Sequence, residues 1–291
     1  MDILTNYTFQ IVALGSVLLA VAAAPVGAFS VYKGQSLIGD AIGHSTFPGI
    51  ILAYMAFATR SPVILLAGAI LAGAASYALI QLAHRDKRLG IDANLAIFLS
   101  GFFGLGMALK SFIQGNPDYA GASQAGLGTY IFGQAAYMLE ADVLLIAAIS
   151  ALVLTLLLLF YKELKLFVFD AEYAEVVGLP CRLLNLLLLV MTIAVIGIGI
   201  KAVGAILISS FLIIPCVAAN QWSNNFARVL LLSSLIGAVS ALVGTYISTL
   251  EQGMSTGPSI ILVASLIAFF SIVFGTKGIL GSVLKRRRTH G

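Results

Sequence analysis

Charge is what this sequence has least of. Aspartate, glutamate, lysine and arginine make up 10% of its 291 residues, against about a quarter in an ordinary soluble domain. With 60% hydrophobic residues and a mean hydropathy of +1.05, it has too little polar surface to coat a soluble particle of this size. Cysteine is nearly as scarce. Cys181 and Cys216 are the only two and form no CxxC pair, which argues against a disulfide scaffold and a thiolate zinc site. There is no GxxxxGK[ST] phosphate loop, so any nucleotide is expected on a different polypeptide. A basic leader with a cleavage site is also missing at the start, and the first apolar segment is expected to stay as a span. No nucleic-acid partner is expected.

What remains is apolar sequence in bilayer-length pieces, each of which needs roughly 20 residues to cross. The spans read as about 8–31, 36–58, 63–82, 92–113, 141–161, 229–250 and 258–274, with a long tract at 183–219 split at Lys201 into two more. The 29 glycines suit close helix packing in lipid. A polar stretch at 114–130 and a short amphipathic piece to 139 separate the fourth and fifth spans. The fold class is all-α, a polytopic bundle of eight or nine transmembrane helices forming one domain over 1–291. Basic residues set the orientation. Lys33, Arg85, Lys87, Arg88, Lys162, Lys165, Arg182, Arg228 and the tail fall inside with nine spans, N-terminus out and C-terminus in. Asp118, Glu140, Asp142 and Glu251 then lie outside, and Lys110 and Lys201 sit near outer ends, where they can snorkel.

The second span carries the chemistry, in Gly39-Asp40-Ala41-Ile42-Gly43-His44. A carboxylate in hydrocarbon costs at least about 2.5 kcal/mol and persists only with a partner. His44 is four residues on, so both side chains share one helix face. At about 1.5 Å per residue from Lys33, His44 lies roughly 16 Å in, near the midplane. Carboxylate and imidazole together make half of a site for a hard-to-borderline metal ion. A structural Asp–His hydrogen bond and a proton relay remain alternatives on these residues alone. Two ligands do not complete a coordination sphere, and a second copy of the helix across a two-fold axis would supply the rest.

Between the fifth and sixth spans, the 162–182 connection contains a short amphipathic helix. Asp170 caps it, Gly178 and Pro180 end it, and Phe169, Tyr173, Val176 and Val177 share a face. Its acids, Asp170, Glu172 and Glu175, favour a protein partner over anionic lipid. Pro25 and Pro215 read equally as gating or static kinks. Ser209 and Ser210 could line the pathway, although serines in spans usually bond back to their own helix. Trp222 reads as an interfacial anchor, His84 and His290 as solvated, and Met254 as a packing residue.

In this order the chain resembles the permease family of bacterial manganese, zinc and iron ABC importers that work with a cluster A-I solute-binding protein. The likeness is carried by Pro25-Val26-Gly27-Ala28-Phe29, the run from Gly34 to His44, Ile131-Phe132-Gly133-Gln134-Ala135-Ala136, the Phe169–Pro180 loop, Val203-Gly204-Ala205-Ile206-Leu207 with Ile213-Ile214-Pro215, and Thr256-Gly257-Pro258-Ser259. It implies a type II-like importer permease in the bacterial cytoplasmic membrane, itself without enzymatic activity. Asp40 and His44 are then the metal-pathway residues. Asp170, Glu172, Tyr173, Glu175 and Gly178 belong to the helix that couples to the ATPase, and Pro215 is a possible gating kink. The implied partners are cytoplasmic ATPase subunits, a second permease copy or paralogue, an extracytoplasmic metal-binding protein and the bilayer. No cofactor is held permanently, and the transported ion is Mn²⁺, with Zn²⁺ or Fe²⁺ the alternatives. The Phe132–Ala136 string leans to the manganese branch. Met254-Ser255 stand where several such permeases carry an acid before the Thr256-Gly257-Pro258 segment, so no role for an outer acid is carried over. A stand-alone proton-coupled metal carrier and a non-transporting metal sensor are the rival readings, and neither requires an ATPase-binding loop.

Overall fold

A computed structural model describes residues 6–59, 61–84, 90–116, 138–250 and 254–280. Among them there are eleven helices and no strand. They are α1 (Tyr7–Tyr32), α2 (Ile38–Phe57), α3 (Pro62–His84), α4 (Ile91–Gly115), α5 (Glu140–Leu159), α6 (Tyr161–Phe169), α7 (Ala171–Val176), α8 (Cys181–Val203), α9 (Ala205–Asn220), α10 (Phe226–Leu250) and α11 (Thr256–Phe274). All nine segments expected to cross the bilayer are helices. Seven of them are long and apolar enough to do so by themselves. α2 has the length, 20 residues, but carries Asp40, His44, Ser45 and Thr46, and α9 has only 16 residues. Most residues of both are buried against neighbouring helices. The 131–136 string, Asp118, Glu251 and most of the polar stretch lie outside the described residues.

The helices form two groups. α1 packs against α5, α8, α9 and α10, while α2 packs against α3 and α4. α9 touches both groups and joins them, packed on α1, α2, α10 and α11. Contacts between backbones hold each group. A methyl at Gly49 would lie 2.1 Å from the Gly68 carbonyl oxygen, so α2 and α3 meet with no side chain between them. Without a hydrophobic drive inside lipid, this close packing and interhelical hydrogen bonds hold such helices together. One of those bonds joins Ser45 Oγ and Ser76 Oγ at 2.7 Å.

The long tract breaks at Gly204, three residues beyond the Lys201 expected from charge. Gly204 has φ 88°, ψ 160°, a conformation that side-chain-bearing residues rarely adopt. Backbone freedom fixes the break, and the lysine only lies near it.

Candidate functional site

Asp40 falls in the first turn of α2, where the helix N-terminus favours a negative charge. His44 follows one turn later, with its Nε2 3.4 Å from Asp40 Oδ1. The two groups predicted to share a face do so. The His44 ring meets Phe103 of α4 edge-on, centroids 5.0 Å apart at 81°. Leu212 of α9 presses on Gly39, whose added methyl would come within 2.6 Å of Leu212 Cδ1. This contact brings the Ser209 hydroxyl, one turn earlier on α9, to the Asp40 carboxylate. Ser209 was expected to bond back to its own helix. The sequence also allowed it a place on the pathway, but its partner could be read only from the α2–α9 packing.

Asp40 and His44 keep 33% and 17% of their side-chain surface exposed. Among the described residues no cluster of three His, Cys, Asp or Glu side chains exists. The site therefore offers one carboxylate, one imidazole and one hydroxyl, open on one side. This donor set suits a hard-to-borderline divalent cation and leaves its sphere unfilled.

Three prolines lie inside helices: Pro25 in α1, Pro48 in α2 and Pro215 in α9. Each lacks the N–H that would close the bond to the carbonyl four residues earlier. At Pro25 that carbonyl is Val21 O, and Ser234 Oγ of α10 donates to it at 3.1 Å. The carbonyl that Pro25 leaves without a helical donor thus has a partner in α10. Pro48 was not singled out from sequence, yet it removes the helical partner of the His44 carbonyl, and Gly106 of α4 packs against its ring. Pro215 lies between Leu212, at the site, and Asn220, at the end of α9.

The expected amphipathic helix is α7. Asp170 Oδ1 accepts from Tyr173 N at 2.9 Å. At the other end Gly178, with φ 86°, sits where Gly178 N donates to Glu175 O and Leu179 N to Ala174 O, both at 3.0 Å, the paired bonds of a Schellman ending. Only Ala174 is buried; Glu172, Tyr173, Glu175, Val176 and Val177 project outward. Phe169 departs from the expected shared face, because its ring packs on Tyr32 and Phe226 at 5.3 and 5.2 Å. Trp222 donates from Nε1 to Ser271 Oγ at 3.0 Å while staying partly exposed, and Met254, expected to pack, is exposed.

Residues 5–275 match the model of the ABC 3 transport family. The zinc transport system membrane protein TroC of Treponema pallidum is 39% identical over 289 residues, 99% of this chain and 96% of that protein. The manganese transport system membrane protein MntC of Bacillus subtilis is 39% identical over 285 residues, 96% of this chain and 65% of that longer protein. Among solved structures, PsaBC from Streptococcus pneumoniae in complex with Fab superposes with a TM-score of 0.82 at 26% identity, over 94% of both chains.

Proposed function

The chain belongs to the ABC 3 transport family, and we propose that it is the membrane-spanning permease of an ATP-driven importer of a divalent transition metal ion, manganese first and zinc or ferrous iron otherwise. Asp40 and His44 bind the ion during passage. The observation that carries this is the acid–imidazole pair, 3.4 Å apart on the part of α2, residues 38 to 51, whose other residues are buried in the bundle. Relatives named for zinc and for manganese are equally identical to this chain, so resemblance alone does not choose the metal.

Separate ATPase subunits take the cytoplasmic side and meet the segment Asp170–Gly178, through Tyr173, Glu172 and Glu175. An extracytoplasmic binding protein delivers the ion. A second permease, a copy or a paralogue, faces the open side of the site and closes the coordination sphere. Pro215 allows α9 to bend as the site opens to one side and then the other.

The test is metal accumulation, measured element by element, in cells whose own importer is replaced by Asp40→Ala or His44→Ala. Both variants are expected to reach the membrane and to lose uptake. Normal accumulation by either one would remove the pair from the pathway.

A further inference from the structure

The end of the bundle that bears Lys33 and Lys162 holds a cluster of five aromatic rings that metal binding does not use. Phe226, the first residue of α10, is at its centre and is 5% exposed. Its ring lies 4.9 Å from Phe29 and 5.0 Å from Tyr32 of α1, and 5.2 Å from Phe169 and 6.4 Å from Tyr161 of α6. The first three contacts are edge-to-face, an arrangement that aromatic pairs favour beyond their burial alone. Phe169 directly precedes Asp170, the cap of α7, so one half-exposed ring ties the exposed segment to the bundle. Tyr32 adds a polar link: its hydroxyl donates to Asn220 Oδ1 of α9 at 2.9 Å.

Two routes lead from this cluster to the site, and both end on Leu212. Along α1, Gly27 lies two residues from Phe29, with its backbone against Leu212; an added methyl would stand 1.9 Å from the Leu212 carbonyl oxygen. Along α9, Asn220 is at the near end and Leu212 lies two turns further, with Pro215 between them. Leu212 in turn fills the space at Gly39, and Ser209 reaches Asp40.

We infer that the Phe169–Tyr32–Phe226 cluster is the joint that passes movement of the 170–178 segment to α1 and α9, and so to the Asp40 carboxylate. Phe169 and Tyr32 are positioning residues: they touch no ion and act through the helices they hold. The inference rests on the reading of 170–178 as the ATPase-binding element. A stiff contact converts displacement of the segment into displacement of the helices, whereas a loose one would absorb it. Spatial continuity supplies the route, and energetic coupling has to be measured on it.

The experiment uses the whole transporter with its ATPase and binding protein in proteoliposomes. Manganese(II) and zinc(II) transported per ATP hydrolysed are measured separately. Phe169 is 53% exposed, so Phe169→Ala leaves no large cavity and is expected to assemble. ATP hydrolysis should stay within about twofold, while metal moved per ATP falls about tenfold. Phe169→Tyr should retain the ratio, and Tyr32→Phe, which loses only the Asn220 bond, should lower it about threefold. An unchanged ratio in Phe169→Ala overturns the joint. So does a proportional loss of hydrolysis and uptake, the signature of a merely structural residue. Val176→Asp, at a site 83% exposed on α7, separates the underlying reading. It is expected to abolish co-purification of the ATPase, and normal co-purification would count against the reading of 170–178 whatever Phe169→Ala does.

Discussion

Replacing Gly39 by alanine tests the packing that assembles the site. The new methyl would stand 2.6 Å from Leu212 Cδ1, about 1 Å inside normal carbon contact. Only Cδ1, the free end of the side chain, has to move, and with Leu212 3% exposed it can turn only into packed neighbours while Gly27 holds its backbone from the α1 side. Overpacking of this kind costs about 1–3 kcal/mol, and the better helix propensity of alanine returns about 0.5–1 kcal/mol. A net loss of up to about 2 kcal/mol is expected, with α2 and α9 pushed apart beside Asp40. A displacement of about 1 Å at the reacting groups is enough to lower function severely, so uptake should fall more than stability does. Leu212→Ala alone leaves a cavity and costs about 2–5 kcal/mol. In Gly39→Ala/Leu212→Ala the new methyl enters that cavity and the clash vanishes. The double variant should then be more stable than Leu212→Ala alone, giving a coupling of at least about 1 kcal/mol. Thermal melting in one detergent, with uptake measured in parallel, reads both. Additive melting shifts, or a Gly39→Ala protein with wild-type melting and uptake, would refute the argument that this contact sets the geometry of the site.

Ser209→Ala removes a hydroxyl from an ionised group, a bond worth about 1.5–3 kcal/mol. Uptake should fall about tenfold and melting by several degrees, and Ser209→Thr should retain most of both; equal uptake in Ser209→Ala would leave the hydroxyl without a role. Lys33, in the turn between α1 and α2, donates to Asn185 Oδ1 and stands 5.0 Å over the Phe167 ring, and burial lowers its amine from 10.5 to about 8. Below about pH 8 the amine is charged in both folded and unfolded chains, and the cost of burying it is fully present. As the pH rises towards 10.5 the folded chain has released the proton and the unfolded chain still holds it, so stability climbs by up to about 3 kcal/mol. Melting temperature against pH should show that rise in the wild type and lose it in Lys33→Met; parallel curves would contradict it.

What could be read in the sequence was what hydrocarbon makes expensive. Asp40 and His44 stand out because a charge in a span needs a reason, and their spacing alone puts them on one face. The ends of α7 were legible for a similar local reason: an aspartate cap and a glycine that accepts a positive φ are chemical requirements of those positions. Non-local contacts were not legible. Ser209 could be read as a pathway serine or a back-bonded one, and its neighbour Asp40 follows only from the fit of Leu212 against Gly39. Phe169 has the spacing of an exposed face, but its ring finds Phe226, 57 residues away in sequence. The break at 204 was misplaced because charge was used to find it, while backbone conformation decides it.

The open side of the site carries the argument about partners further. In α2, residues 38, 39, 41, 42, 43 and 45 to 51 are buried, whereas Asp40 and His44 are not. The far end of the helix exposes Leu52, Ala56 and Phe57, as lipid contact allows, but between 38 and 51 the openings fall at Asp40 and His44, and exposure of a carboxylate to hydrocarbon is the costly outcome. They suit a water-filled path or a second chain. In the proposed two-fold arrangement the strong donors number four, two carboxylates and two imidazoles, a set that satisfies four-coordinate zinc. Two Ser209 hydroxyls would raise the set to six oxygen and nitrogen donors, which suits manganese better. The distinction is whether Ser209 coordinates the ion or only holds the carboxylate. If it coordinates, Ser209→Ala lowers manganese uptake and spares zinc. If it only orients Asp40, both fall together, because the carboxylate serves either ion.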